Sequence, residues 1–203
     1  MINKVAPCVS PKEKQHMRKN FGAKPCVYPM PVFIISTYDE NGVPNAMNAA
    51  WGGIAEENRI SICLDQTHKT TANIVKKKAF VVSMATEDRV AECDYVGIVS
   101  GNDVPDKFAK AGFHAEKSEN VDAPLIKELP LSVECKLISY DDATCLLIGE
   151  IVNVCADESV LTDGKIDPRK LKPITYDTVN KKYYSFGEIV GNAFSDGKKI
   201  RNA

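Results

Sequence analysis

From Val32 onward the chain alternates short apolar runs with clusters of turn-forming residues. VFIISTY, at 32–38, is a strand-length apolar run. The Asn41-Gly42 that follows is a hairpin signal, because both central residues of a type I′ turn need positive φ. NAMNAAWGG, at 45–53, reads as the returning strand, Glu56-Glu57-Asn58 as a second turn, and RISICLD as a third strand. From Lys69 to Lys78 the apolar spacing becomes helical, with lysines at the C-terminal end, where the helix dipole favours cations. AFVVSMA, at 79–85, returns to strand. EDRVAECDYVGIVS and PDKFAKAGF read as short helices, the second closed by Gly112. LSVECKLISYDDATCLLIGEIVNVCA gives two long strands joined at Asp141-Asp142, and TYDTVNKKYYSFGEIV a last hairpin turning near Asn180-Lys181.

Six or more closely spaced strands, mostly hairpin-linked, predict a mainly β fold with inserted helices, built as an antiparallel barrel or sandwich. The helices do not alternate with strands, which argues against a doubly wound parallel sheet. No repeat or low-complexity linker divides the sequence. The expected organisation is an N-terminal arm, 1–28, rich in Pro and Lys, followed by one domain at 29–203.

Composition narrows the function classes. Among 203 residues the formal net charge is -1, which gives no broad attraction for nucleic acid or an anionic membrane. No apolar run reaches the roughly 18 residues of a membrane span, and the first residues carry no apolar leader, so the expected location is cytoplasmic. The cysteines are odd in number, seven, and form no C-x-x-C, which speaks against a disulfide framework or a simple zinc site. Cys63, Cys135, Cys145 and Cys155 lie in strand-like stretches and read as small hydrophobes, whereas Cys26 and Cys93 read as less buried. Paired carboxylates, a Ser-His-Asp set, G-x-G-x-x-G and the P-loop pattern are all missing from the string.

Two segments carry candidate chemistry. Thr67-His68-Lys69-Thr70-Thr71-Ala72-Asn73 opens a helix, where free N–H groups, hydroxyls and an ammonium suit a phosphate. The same residues also suit plain capping, with Thr67 or Thr70 as N-cap. In Asn45-Ala46-Met47-Asn48-Ala49-Ala50-Trp51, small side chains let a flat ligand lie close to the backbone; a tightly packed strand with Trp51 in the core accounts for them too.

Taken together, N-A-M-N-A-A-W-G-G and H-K-T-T-A-N-I resemble the flavin reductase-like family with its FMN-binding split β-barrel, a Greek-key antiparallel barrel. The flavoredoxin group within it is the best match. D-K-F-A-K-A-G-F at 106–113, E-K-S-E-N-V-D-A-P-L-I at 116–126, V-E-C-K at 133–136 and I-G-E-I-V at 148–152 extend the likeness from about Pro29 to Phe194. The resemblance implies a homodimer holding FMN. Asn45 to Trp51 would line the ring and ribityl chain, and His68, Lys69, Thr70, Thr71 and Asn73 would surround the phosphate. Ser83 and Met84 would flank the ring, Lys107 would reach it, and Tyr184 and Phe186 would supply late aromatics. Read without the family, Lys107 is an exposed helix lysine, and Tyr184 and Phe186 are core aromatics.

One departure stands out: Asp141-Asp142-Ala143-Thr144-Cys145 has no histidine where many relatives carry one. The implied activity is an FMN-dependent oxidoreductase. It would take electrons from NADH, NADPH or a protein donor and pass them to flavin, a metal chelate or a protein. An FMN-binding module without turnover, or an electron carrier without a nicotinamide site, would use the same cleft.

Overall fold

In the computed structural model, which describes residues 18–201, the apolar run of β2 (Phe33–Tyr38) is continuous because both of its faces are buried. Phe33 and Ile35 point into one core cluster with Ile60, Ile62, Leu64, Phe80 and Leu147. Ile34, with Val32 before the strand, belongs to a second cluster with Val96, Phe108 and Phe113. The hairpin from β2 to β3 (Pro44–Ala49) turns as expected. Gly42 takes φ +79°, and Asp39 Oδ1 accepts from the N–H groups of Asn41 and Val43.

Beyond β3 come β4 (Gly52–Glu56), β5 (Arg59–Cys63), α1 (Lys69–Lys77) and β6 (Ala79–Met84). Helices α2 (Val90–Ile98) and α3 (Lys107–Lys110) follow, then the short pair β7 (Ala115–Lys117) and β8 (Pro124–Ile126). The long hairpin β9 (Leu131–Asp141) and β10 (Leu146–Ala156) leads to β11 (Leu161–Thr162), β12 (Lys165–Ile166) and α4 (Pro168–Leu171). The last elements are β13 (Ile174–Asp177), β14 (Lys182–Ser185) and α5 (Lys198–Arg201). Strand β1 (Met30–Pro31) pairs with β13, which pairs with β14, in a small separate sheet.

The main sheet has seven antiparallel strands in the order β3-β2-β6-β9-β10-β5-β4. Its two end strands, β3 and β4, are consecutive in the chain and separated only by Ala50 and Trp51. A sheet whose ends must nearly meet has to curl, and this one curls into a split barrel around the cluster of Ile35, Phe80 and Leu147. Two irregularities in the β9–β10 register, at Ile148/Gly149 and Ile151/Asn153, help the long hairpin bend. Gly149 is required at the first, since a Cβ there would stand 2.5 Å from Phe80 Cζ.

Three expectations are corrected. The stretch 45–53 is not one strand, because the ladder breaks at Ala50-Trp51 and Trp51 is 53% exposed rather than in the core. Cys63, expected as a buried hydrophobe, is exposed, while Cys93 is fully buried on the inner side of α2. Cys8, His16 and most of the N-terminal arm lie outside the described residues. No helix among the described residues is long and apolar enough to cross a membrane.

Candidate functional site

A cleft of about 430 Å³ opens beside the break between β3 and β4. Its floor is Met47 to Trp51, its far wall Gly97 and Ile98 at the end of α2, and its rim Cys63, Leu64 and His68. The small floor follows from sequence, since Ala49 and Ala50 put no bulk between a ligand and the backbone. Because β3 ends the sheet, half of its backbone N–H and C=O groups have no strand partner and remain available. The volume lies within the range of about 300–1,000 Å³ typical of small-molecule sites. A second concavity of 600 Å³, bordered by Lys165, Arg169 and Phe186, is larger but holds almost none of the sequence-expected residues.

Helix α2 is pressed onto β3. Asn48 Nδ2 donates to Cys93 O at 3.1 Å, and a Cβ on Gly97 would stand 2.9 Å from Asn48 Cβ. Tyr183 on β14 closes another side and donates from its hydroxyl to Asp94 Oδ1 at 2.7 Å. Burial, reinforced by this bond to a carboxylate, raises the phenol above its usual range. Tyr176 of β13 stacks obliquely against it, with centroids 5.7 Å apart, and Lys181 at the hairpin tip completes the rim.

At the other end of the cleft lies the start of α1. His68 occupies the N-cap in an extended conformation, and among the described residues no side chain caps this terminus. The first turn carries no acid, so its partial positive charge is not neutralised locally. Lys69 stands beside it, 3.9 Å from Asp39 across an ion pair.

Residues 26–183 match the profile of the flavin reductase like domain. The chain belongs to the flavin reductase-like family. It is 40% identical to the flavoredoxin of Desulfovibrio vulgaris, whose structure superposes with a TM-score of 0.85 over 89% of this chain and all of that one. The flavoredoxin of Methanosarcina acetivorans gives 25% identity and a TM-score of 0.80, over 92% and 99% of the two chains. An uncharacterized protein of Aquifex aeolicus is 28% identical over 80% of this chain and 87% of its own length.

Within this flavin reductase-like chain the expected site residues divide. Met47, Asn48, Ala49, Ala50, Trp51 and His68 line the cleft. Asn45 and Ala46 are buried behind its floor. The polar groups of Thr70, Thr71 and Asn73 bond to neighbouring elements of the fold. Thr70 Oγ1 accepts from Asn45 Nδ2 at 2.7 Å, Thr71 Oγ1 donates to Asp65 O, and Asn73 Nδ2 donates to Thr37 Oγ1. These bonds fasten α1 to its neighbours and thereby aim its N-terminus. Thr67 is bonded to Asp65. Ser83 is buried against Ser132, and Met84 packs into the barrel core, both away from the cleft.

Of the late aromatics, the cleft takes the residue before Tyr184 and not Tyr184 or Phe186. Tyr183 faces the cleft, whereas Tyr184 and Phe186 are half exposed on other surfaces. On a strand, adjacent residues face opposite sides. Lys107 is neither an exposed helix lysine nor part of the cleft lining; it is buried with its ammonium on the carbonyls of Val96 and Val99. Asp94, Gly97, Tyr176 and Lys181 are cleft residues that local pattern does not mark, because they arrive from elements distant in the chain.

Proposed function

We propose that this protein is an FMN-binding oxidoreductase of the flavin reductase/flavoredoxin type. One observation carries the reading. The small-residue floor Met47–Trp51 and the uncapped start of α1, which come from separate elements, border one cleft of suitable volume. The residues present fit the cofactor. Met47–Trp51 with Ile98 and Tyr183 would hold the flat ring, and the start of α1 with His68 and Lys69 would hold the anionic phosphate.

Bound FMN supplies reversible hydride and electron transfer. The chain's own part is to hold the ring against the free edge of β3, whose backbone donors can offset charge gained on reduction. Trp51 and Ile98 shield it from water. The donor is NADH, NADPH or a reduced protein, and the acceptor a flavin, metal chelate or protein. The turn 141–145 lacks a histidine, and this favours a second reading, an electron carrier fed only by a protein donor.

The proposal extends to a cytoplasmic homodimer. Its support is the apolar side chains Ile54, Ile138, Leu146, Val152 and Val154 exposed on β4, β9 and β10, a grouping that a second copy would cover. Light scattering on the purified protein checks the oligomer.

The deciding experiment titrates the purified protein with FMN and then adds NADH or NADPH anaerobically. Absorbance of bound flavin that bleaches marks a reductase, and flavin bleached only by a reduced protein marks a carrier. Failure to bind FMN at all sinks both. Lys69→Ala should weaken FMN about tenfold, the effect of one charge-assisted contact; unchanged affinity would remove Lys69 from the phosphate site.

A further inference from the structure

Asp94 on α2 and Tyr183 on β14 stand 89 residues apart in the chain, yet both line the cleft and their side chains meet there. The Tyr183 hydroxyl donates to Asp94 Oδ1 at 2.7 Å. An ionised carboxylate can only accept, so the single phenolic proton is committed to it, while the phenol oxygen keeps lone-pair capacity to receive another. The bond therefore has a direction, from the cleft through the phenol to the carboxylate.

Both partners are firmly placed. Tyr183 lies opposite Tyr176 of β13, with ring centroids 5.7 Å apart, and the two rings pack against the core cluster that holds Val96 and Phe108. Asp94 follows Cys93, whose side chain is buried and whose carbonyl accepts from Asn48 Nδ2 at 3.1 Å, so the floor strand and α2 hold the carboxylate where it is. Burial, and then the bond to Asp94, raise the Tyr183 phenol above its ordinary range, which disfavours a lasting phenolate beside the carboxylate. Asp94 is only half-buried and can exchange a proton with water.

We propose that Tyr183 and Asp94 form a proton relay serving the cleft. As a proton released in the cleft reaches Tyr183 Oη, the phenolic proton passes to Asp94 Oδ1. One O–H bond forms on the tyrosine, its former one breaks, and one forms on the aspartic acid. Asp94 then gives the proton to water, and uptake runs the same steps in reverse. The two transfers are concerted, since the phenol can keep neither two protons nor none. No electrons move in the relay. Asp94 acts through Tyr183, and Tyr183 faces what the cleft binds. That the proton belongs to flavin chemistry, in which electrons and protons move together, rests on the function proposed above.

The test compares the parent with Asp94→Asn and Tyr183→Phe. The asparagine oxygen still accepts from Tyr183, but an amide does not take up a proton near neutral pH. In ligand-free protein, ultraviolet titration of the tyrosines should show one phenol ionising at lower pH in Asp94→Asn than in the parent, and that phenol should be missing in Tyr183→Phe. Protein loaded with FMN is then reduced with dithionite and mixed with ferricyanide, which takes electrons only, so a proton has to leave the cleft. Asp94→Asn should bind FMN within about twofold of the parent and reoxidise about a hundredfold more slowly, the usual worth of a positioned proton-transfer group. Added acetate, standing in for the missing carboxylate, should restore part of that rate and leave the parent unchanged. An unslowed Asp94→Asn, or a loss that acetate does not mend, overturns the relay. Should Asp94→Asn not fold, Tyr183→Phe keeps the packed ring and should slow reoxidation equally; an unslowed Tyr183→Phe refutes the relay. A parent that binds no FMN brings down the function and the relay together, whereas bound FMN with unchanged rates brings down the relay alone.

Discussion

Replacing Gly97 by alanine sets two physical effects against each other. Gly97 lies inside α2, and in an exposed helix interior a glycine costs about 1 kcal/mol relative to alanine. Helix propensity alone therefore makes Gly97→Ala stabilising. The packing says the reverse. The added Cβ would stand 2.9 Å from Asn48 Cβ, closer than carbon atoms approach. Asn48 Cβ is fixed to the backbone of β3, so α2 or the strand must move instead of a flexible side-chain tip. Overpacking of this kind costs about 1–3 kcal/mol. Separation also strains the bond from Asn48 Nδ2 to Cys93 O, worth roughly another 1 kcal/mol. The net expectation is destabilisation of about 1–3 kcal/mol, read as a lower urea midpoint at unchanged slope. A double-mutant cycle with Asn48→Gly, which removes the opposing Cβ, should recover roughly 1 kcal/mol or more of the alanine's cost. Gly97→Ala as stable as the parent, or a cycle without coupling, refutes the close-approach argument.

Two further outcomes are expected. The hydroxyl of Tyr28, then the amide of Asn180, hold the Asp177 carboxyl down to about 2. A depressed carboxylate contributes stability that is present above its unfolded value near 4 and lost as pH falls toward 2. Urea midpoints of Asp177→Asn should thus fall less than the parent's between about pH 4 and pH 2, the rest of the decline belonging to other depressed carboxylates such as Asp167; parallel declines would refute this. Iodoacetamide at pH 8 should label the exposed Cys26 and Cys63 and spare Cys93 and Cys135, whose thiols burial pushes up to about 12. FMN should then slow labelling of Cys63 only, since Cys63 borders the cleft, and equal protection of Cys26 would count against the cleft as the site.

Strands β2 and β6 were legible because burial on both faces leaves an uninterrupted apolar run, and the first hairpin because Asn41-Gly42 has few other uses. The start of α1 was legible for the same local reason. What local pattern could not convey was long-range placement. β6 pairs with β9 across some fifty residues of chain, with Phe80 opposite Cys135, and nothing in either segment names the other. Tyr183 and Tyr184 are chemically equal in the sequence, and only the register with β13, which sets Tyr183 opposite Tyr176, decides which faces the cleft. Lys107 misled because lysine is so seldom buried that exposure is the natural expectation. The threonines of α1 are ambiguous for another reason. A hydroxyl suits a phosphate and a neighbouring backbone carbonyl alike: Thr71 donates to Asp65 O, while Thr70 accepts from Asn45 and keeps its own proton to give.

The location of the cleft follows from how the barrel fails to close. Strands β3 and β4 are the ends of the sheet, and a full barrel would pair them. Two residues, Ala50 and Trp51, connect them directly, a length that a tight hairpin could use, yet the two strands do not pair with each other. The outcome is a gap with free backbone groups on β3 and an indole left half in solvent. Such an edge is a liability unless something covers it. Helix α2 covers part of it, drawn close by Gly97 and held by Lys107, and the α1 N-terminus stands at its end. The uncovered remainder is a slot with backbone donors along one side and positive charge at one end. A flat, polar-edged ligand with an anionic tail would satisfy both, so the unclosed seam of the barrel is itself the strongest structural argument for a cofactor there.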